Sequence, residues 1–131
     1  MSAADHAEIG ALMEFYFEGL HRTDAAMLRD VFHPRLAYVC ATAGDELYLD
    51  LESYMARIEA REAPAARGEP RDGRVLEIAI GSDRLARVTA RMRMLGRDYL
   101  DFLTLVREGP RWRIVAKIFA HAPDARAPGE G

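Results

Sequence analysis

The sequence predicts an α+β domain in which three helices cover one face of a curved, mainly antiparallel sheet. Apolar residues recur at helical spacing in the first half of the chain, and apolar runs separated by turn residues fill the second half. Helices followed by a run of strands are typical of this fold class. At 131 residues, the chain fits one domain that buries roughly two-thirds of its unfolded surface.

The charge balance narrows the range of partners. Charged residues make up 30% of the chain and the formal net charge is -3, which is ordinary for a water-soluble protein and argues against nucleic acid as a partner. The chain has no apolar run near the ~20 residues that cross a bilayer, and its first residues lack a signal-peptide pattern. We therefore expect a cytoplasmic protein without a membrane partner. The single cysteine, Cys40, fits a reducing compartment.

Three helices are predicted before residue 62. The first extends from residue 4 to residue 21, because apolar side chains share one stripe at helical spacing. The residues of that stripe are Ile9, Leu12, Met13, Tyr16, Phe17 and Leu20. Thr23 or Asp24 is expected to cap a short second helix, which should end before Pro34 because a residue preceding proline is pushed out of the helical region. A second apolar stripe predicts the third helix from Asp50 to Arg61.

The remaining periodic segments are predicted strands. They are Leu36–Thr42, Leu47–Leu49, Val75–Ile80, Leu85–Leu95 and the two arms of a hairpin at Tyr99–Phe119. A three-residue turn at positions 96–98 is expected before the hairpin, and Gly109 with Pro110 is expected to close it. Residues 62–73 are predicted to form a surface loop. The domain is therefore expected to span residues 1–121, with residues 122–131 as a disordered tail.

The hairpin motifs resemble the nuclear transport factor two-like superfamily. The matching runs are DFLTL at 101–105 and WRIVAKIF at 112–119, and the similarity extends over roughly residues 9–119. It is strongest to a bacterial branch labelled lumazine-binding or SnoaL-like. The resemblance implies a cone-shaped α+β barrel with a cystatin-like fold, a pocket between the helices and the concave sheet face, and a homodimer. Because this fold serves isomerases, dehydratases, cyclases and binding proteins, it does not by itself assign a reaction.

The first helix is also similar to that of the ketosteroid isomerases, which belong to the same superfamily. The similarity places Tyr16 at the oxyanion-binding tyrosine, Cys40 at the general-base aspartate and Thr104 at the protonated acid. Neither carboxyl group of the isomerase is retained at these positions. Proton abstraction next to a carbonyl group needs a base within hydrogen-bonding reach, so the resemblance does not extend to isomerase chemistry.

The same alignment predicts which side chains face into the cone. The expected ligand-binding residues are Tyr16, Tyr38, Cys40, Tyr54, Met92, Phe102, Thr104, Lys117, Phe119 and His121. Asp101 is expected to face outward and to pair with Arg93 across the strands. A second subunit is the expected cover for this outer face, because neither face of the hairpin is cleanly polar.

Lys117 is the leading candidate for a ligand anchor, because a buried ammonium is costly without an anionic partner. It either binds a carboxylate, phosphate or enolate-like oxygen, or pairs with an internal acid or extends to the rim. Tyr16 either donates its hydroxyl to a ligand or packs in the core with the hydroxyl on a backbone carbonyl. Cys40 is either a small buried apolar residue or a nucleophile, and His121 is a candidate acid or base at the cone mouth.

Three functions are compatible with this pattern. The first is a small-molecule binding protein with a largely apolar pocket and a polar anchor. The second is an enzyme of the isomerase, dehydratase or cyclase type that acts on a cyclic or polyketide-like substrate. The third is a protein-interaction module whose cone is filled by side chains. No metal or cofactor is predicted, because the histidines and the cysteine are scattered without ligand spacing.

Overall fold

Three α-helices and a six-stranded sheet make up the fold in the computed structural model, which describes residues 3–124. The helices are α1 (Ala3–Arg22), α2 (Ala25–Val31) and α3 (Leu51–Ala60), and a 3₁₀ turn at Ala65–Arg67 interrupts the predicted loop. The strands are β1 (Phe32–Cys40), β2 (Leu47–Leu49), β3 (Gly73–Ile80), β4 (Leu85–Met94), β5 (Arg97–Glu108) and β6 (Arg111–Pro123). The predicted α+β cone is confirmed.

The sheet has the strand order β2-β1-β6-β5-β4-β3. Its neighbours are antiparallel except for β1 and β6, which run parallel. Helix α1 packs against β3 and β6, and α3 packs against β1, so the helices and one sheet face enclose a shared hydrophobic core. None of the helices within residues 3–124 has the length and apolarity to cross a bilayer.

Aspartate caps fix the starts of the two shorter helices. Asp24, one of the two predicted caps, accepts a hydrogen bond from the Met27 backbone N–H at 3.1 Å. Asp50 does the same for the Ser53 N–H at 2.9 Å. Helix α2 ends at Val31, before the predicted proline stop, because Phe32 already belongs to β1.

The turn between β4 and β5 is one residue shorter than predicted. Leu95 and Gly96 both have positive φ, 55° and 78°, and Met94 pairs directly with Arg97. Two central residues with positive φ define the type I′ turn of a two-residue hairpin. The predicted three-residue turn is therefore wrong.

This shorter turn exchanges the two faces of β5. A shift of one residue moves every side chain of a strand to the opposite face. Asp101 lies opposite the buried Ala90 and is itself only 2% exposed, whereas Phe102 is 55% exposed and Thr104 shares its outward face. The predicted outward Asp101 and inward Phe102 and Thr104 are all wrong for this reason.

The last strand extends beyond its predicted end. Residues 122 and 123, assigned to the tail by the sequence, belong to β6, and the Asp124 N–H donates to the Gly96 carbonyl at 3.0 Å. The start of the tail is thus ordered by the β4–β5 turn. The rest of it, residues 125–131, lies outside the described residues.

Candidate ligand-binding site

A cavity of about 620 Å³ opens at one end of the cone. Its walls come from β1, the β1–β2 loop, the start of β2, α3 with its C-terminal cap, the end of β4, the start of β5 and β6. The lining residues are Tyr38, Cys40, Gly44, Asp45, Glu46, Leu47, Tyr54, Arg57, Ala60, Arg61, Met94, Arg97, Tyr99, Lys117, Phe119 and His121. The volume lies within the ~300–1,000 Å³ typical of small-molecule sites.

Only six of the ten predicted ligand-binding residues line this cavity. The predicted residues that line it are Tyr38, Cys40, Tyr54, Lys117, Phe119 and His121. Tyr16 and Met92 are buried in the core and do not line it. Phe102 and Thr104 lie on the outer sheet face, as the register of β5 requires.

Lys117 is held at the floor of the cavity by aromatic rings. The residue is 4% exposed, and its Nζ donates to the Tyr54 hydroxyl at 3.1 Å. Nζ also lies 5.1 to 5.8 Å from the ring centroids of Tyr16, Tyr54, Phe119 and Tyr38, close enough for cation–π attraction. Within residues 3–124, no carboxylate forms an ion pair with it. The ammonium therefore retains donor capacity for a ligand oxygen.

Tyr16 and Asp101 form a buried pair behind Lys117. The Tyr16 hydroxyl donates to Asp101 Oδ2 at 2.5 Å, and Asp101 Oδ1 has no hydrogen-bond partner among the described residues. The hydroxyl thus binds a carboxyl group, which neither alternative from the sequence included. The predicted Asp101–Arg93 ion pair is wrong, since Arg93 lies opposite Asp98 on the outer face. The carboxyl group beside Tyr16 is supplied by Asp101, not by the Thr104 position.

Burial keeps the tyrosines of this region protonated. It raises the pKa of Tyr16 well above its ordinary value, and the negative charge of Asp101 adds to the effect. Burial likewise raises the pKa of Tyr54, and it raises the pKa of Tyr38 to about 12 although the nearby Lys117 opposes this. Because the Tyr54 oxygen accepts from Lys117, its own proton is free to be donated to a ligand.

The cavity is more cationic than the predicted, largely apolar pocket. Arg57 and Arg61 reach it from α3 and its C-terminal cap, and Arg97 reaches it from the start of β5. Sequence reading missed these residues because helical and turn arginines usually face solvent. A signal was present, since Arg57 and Arg61 follow the pocket residue Tyr54 at intervals of three and seven positions, on one side of the helix.

The two carboxylates at the mouth have partners of their own. Asp45 Oδ2 lies 3.4 Å from His121 Nε2, and Glu46 Oε1 accepts from the Gly44 N–H at 3.0 Å. Burial lowers the pKa of His121, the charge of Arg97 lowers it further, and Asp45 opposes both. Among residues 3–124, no three His, Cys, Asp or Glu side chains are placed to hold a metal ion.

The fold, with a cavity between α3 and one face of the sheet, defines a member of the nuclear transport factor two-like superfamily. Its residues 4–120 match the family described as "Putative lumazine-binding". The chain belongs to this family.

Solved structures support the same fold. An NTF-2-like protein of unknown function from Silicibacter pomeroyi has a TM-score of 0.77 at 23% identity, covering 93% of this chain and 100% of that one. A second from Shewanella baltica has a TM-score of 0.82 at 17% identity, covering 95% and 98%. A cystatin-like domain from Nostoc punctiforme has a TM-score of 0.75 at 15% identity, covering 95% and 82%. A search of curated proteins found no significant match.

Proposed function

We propose that the protein binds a small planar organic molecule through its cavity, with a negatively charged or carbonyl oxygen of the ligand on Lys117. The rings of Tyr38, Tyr99 and Phe119 supply flat apolar walls, and the Tyr54 hydroxyl supplies a second donor beside the ammonium. Such a combination of apolar walls and a few convergent polar groups is typical of small-molecule sites.

The observation that carries the proposal is the environment of the Lys117 ammonium. A buried cation is ordinarily compensated by an anion, since transfer of a charge out of water is costly. Here the groups in direct contact with the ammonium within residues 3–124 are ring faces and one neutral hydroxyl, at a position that opens onto the cavity. The charge of Asp101 reaches the adjacent Tyr54, but Asp101 bonds to Tyr16 and forms no ion pair with Lys117. An anionic ligand group would supply the direct partner that the ammonium lacks.

Binding of 2-naphthoate, compared with the neutral 2-naphthamide, tests the proposal by isothermal titration calorimetry. Wild-type protein should prefer the carboxylate, and Lys117→Met should lose about tenfold or more of the carboxylate affinity, because a hydrogen bond to a charged group contributes about 1.5–3 kcal/mol. Arg84→Gln removes a charge from an exposed turn outside the cavity and should bind as wild type does. Equal affinity of Lys117→Met and wild type for the carboxylate would exclude Lys117 as the anchor.

A proton-transfer enzyme is the second candidate, favoured by the presence of His121 in the same cavity as Lys117 and Tyr54. In this scheme Lys117 and Tyr54 would stabilise negative charge on a carbonyl oxygen while His121 moves the proton. Tyr16 takes no direct part, because it is fully buried and bonded to Asp101. Incorporation of deuterium from heavy water into a cyclic ketone, faster with wild type than with His121→Gln, would establish such an activity.

We also propose a homodimer through the outer sheet face. Phe102 and Ile118 are paired across β5 and β6 and are 55% and 45% exposed, which makes a continuous apolar surface in the middle of the sheet. Sedimentation velocity at micromolar concentration should give the mass of two chains, and Phe102→Glu should give one. A wild-type mass of one chain would refute the dimer.

A further inference from the structure

Arg61 holds an unsatisfied hydrogen-bonding edge beside the cavity. Its Nε and Nη2 atoms are buried and have no acceptor among the described residues, although the residue lines the cavity. These two nitrogens form one edge of the guanidinium, the edge that binds a carboxylate or phosphate through two parallel hydrogen bonds. Buried donors are nearly always paired with an acceptor. Since residues 3–124 provide none for this edge, we expect the acceptor to come from a bound molecule.

The charges around Arg61 indicate that the missing acceptor is negatively charged. Four cationic side chains line the cavity, against the two carboxylates of Asp45 and Glu46, which leaves an excess of two positive charges before His121 is considered. Arginines outside the cavity, such as Arg87 and Arg107, pair with carboxylates of the chain. Within residues 3–124 the cavity cations have no such ion pair.

The four cations occupy two depths. Lys117 lies at the floor and is 4% exposed, whereas Arg61 is half-buried and Arg57 and Arg97 are exposed at the rim. A single anionic group on Lys117 would neutralise half of the excess charge and would leave the Arg61 edge unsatisfied. A second anionic group nearer the rim would serve both, and its binding would require the Arg61 side chain to turn this buried edge toward the ligand.

We propose that the ligand is a planar dianion, with one anionic group on Lys117 and Tyr54 and the other on the Nε–Nη2 edge of Arg61. This inference rests on the proposed function and adds the charge class of the ligand. It assigns Arg61 as the residue that distinguishes dianions from monoanions. Recognition of the second anionic group depends on both the charge and the planar shape of the Arg61 guanidinium, since a lysine ammonium cannot form two parallel hydrogen bonds.

Calorimetric titration with benzoate, phthalate, isophthalate and terephthalate tests the inference, since the three dicarboxylates sample different separations of two anionic groups. At least one dicarboxylate should bind wild-type protein about tenfold more tightly than benzoate, as expected for one additional bidentate contact. Arg61→Gln should bind that dicarboxylate and benzoate with similar affinity, and Arg61→Lys should recover only part of the preference.

Arg84→Gln is the matched control, because it removes one exposed arginine charge that does not line the cavity and should keep the full preference. If wild type binds benzoate but prefers no dicarboxylate, or if Arg61→Gln keeps the preference, the dianion inference is overturned while the proposed function stands. If wild type binds neither benzoate nor any dicarboxylate, the dianion inference fails, and the titration with 2-naphthoate decides separately whether the proposed function fails with it. Circular dichroism of each variant establishes that it is folded.

Discussion

Replacement of Tyr16 by phenylalanine should destabilise the protein substantially although it removes a single oxygen atom. The Tyr16 hydroxyl is the hydrogen-bond donor to Asp101 within residues 3–124, and Asp101 Oδ1 already lacks a partner there. The variant therefore leaves a carboxyl group that is 2% exposed without a hydrogen bond. Loss of a bond to such a group costs about 1.5–3 kcal/mol, which corresponds to a melting temperature lower by about 5–10 °C for a domain of this size.

Urea unfolding followed by circular dichroism measures this loss, and Tyr48→Phe is the matched control. Tyr48 is 77% exposed, so its hydroxyl is replaced by water at little cost and the variant should stay within about 0.5 kcal/mol of wild type. A second variant removes both polar partners. Tyr16→Phe combined with Asp101→Leu should be less destabilised than the sum of the single changes, because no unpaired carboxyl group remains. A Tyr16→Phe variant as stable as Tyr48→Phe would show that the buried pair does not form.

Two further predictions concern close packing and pH. Gly73→Ala should cost about 1–3 kcal/mol in urea unfolding, because a Cβ at this position would lie 2.6 Å from the buried Phe17 ring; Gly10→Ala, which meets nothing within 4 Å, should not destabilise the protein. The pKa of His121, measured by NMR, should lie below the ordinary histidine value of about 6.5, and Arg97→Gln should raise it. Since the folded state then binds this proton less tightly than the unfolded state, the contribution of His121 to stability is complete above about pH 6.5 and is lost as the pH falls through the lowered pKa. A His121 pKa above the ordinary value, or a Gly73→Ala variant as stable as wild type, would contradict these predictions.

The helices were predictable because α1 and α3 carry an apolar stripe and α2 and α3 begin at an aspartate cap. One apolar stripe, which contains Tyr16, gives the buried face of α1, and a second, which contains Tyr54, gives that of α3. Asp24 and Asp50 cap α2 and α3. Caps and periodicity depend on residues within one or two turns of each other, so a single sequence records them. Lys117 was found by a similar local contrast, a charge within an apolar run.

The face of β5 could not be predicted, because its two sets of alternating residues are almost equally apolar. Only the number of residues in the preceding turn distinguishes them, and the Leu95–Gly96 pair with positive φ makes that number two. Glycine as the second of two turn residues is a known hairpin signal, but a loop of three is also common. The prediction of a three-residue turn therefore assigned both Asp101 and Phe102 to the wrong faces of β5.

The sequence by itself determined the α+β class, the order of the elements, the hairpin and the unusual charge at Lys117. The tertiary structure alone decided that Asp101 pairs with Tyr16 and that Arg61 shares a cavity with Lys117, which lies 56 positions further along the chain. The physical reason is that local signals fix a segment and its buried face. Contacts between segments depend on turn lengths and strand register, which one added residue can reverse.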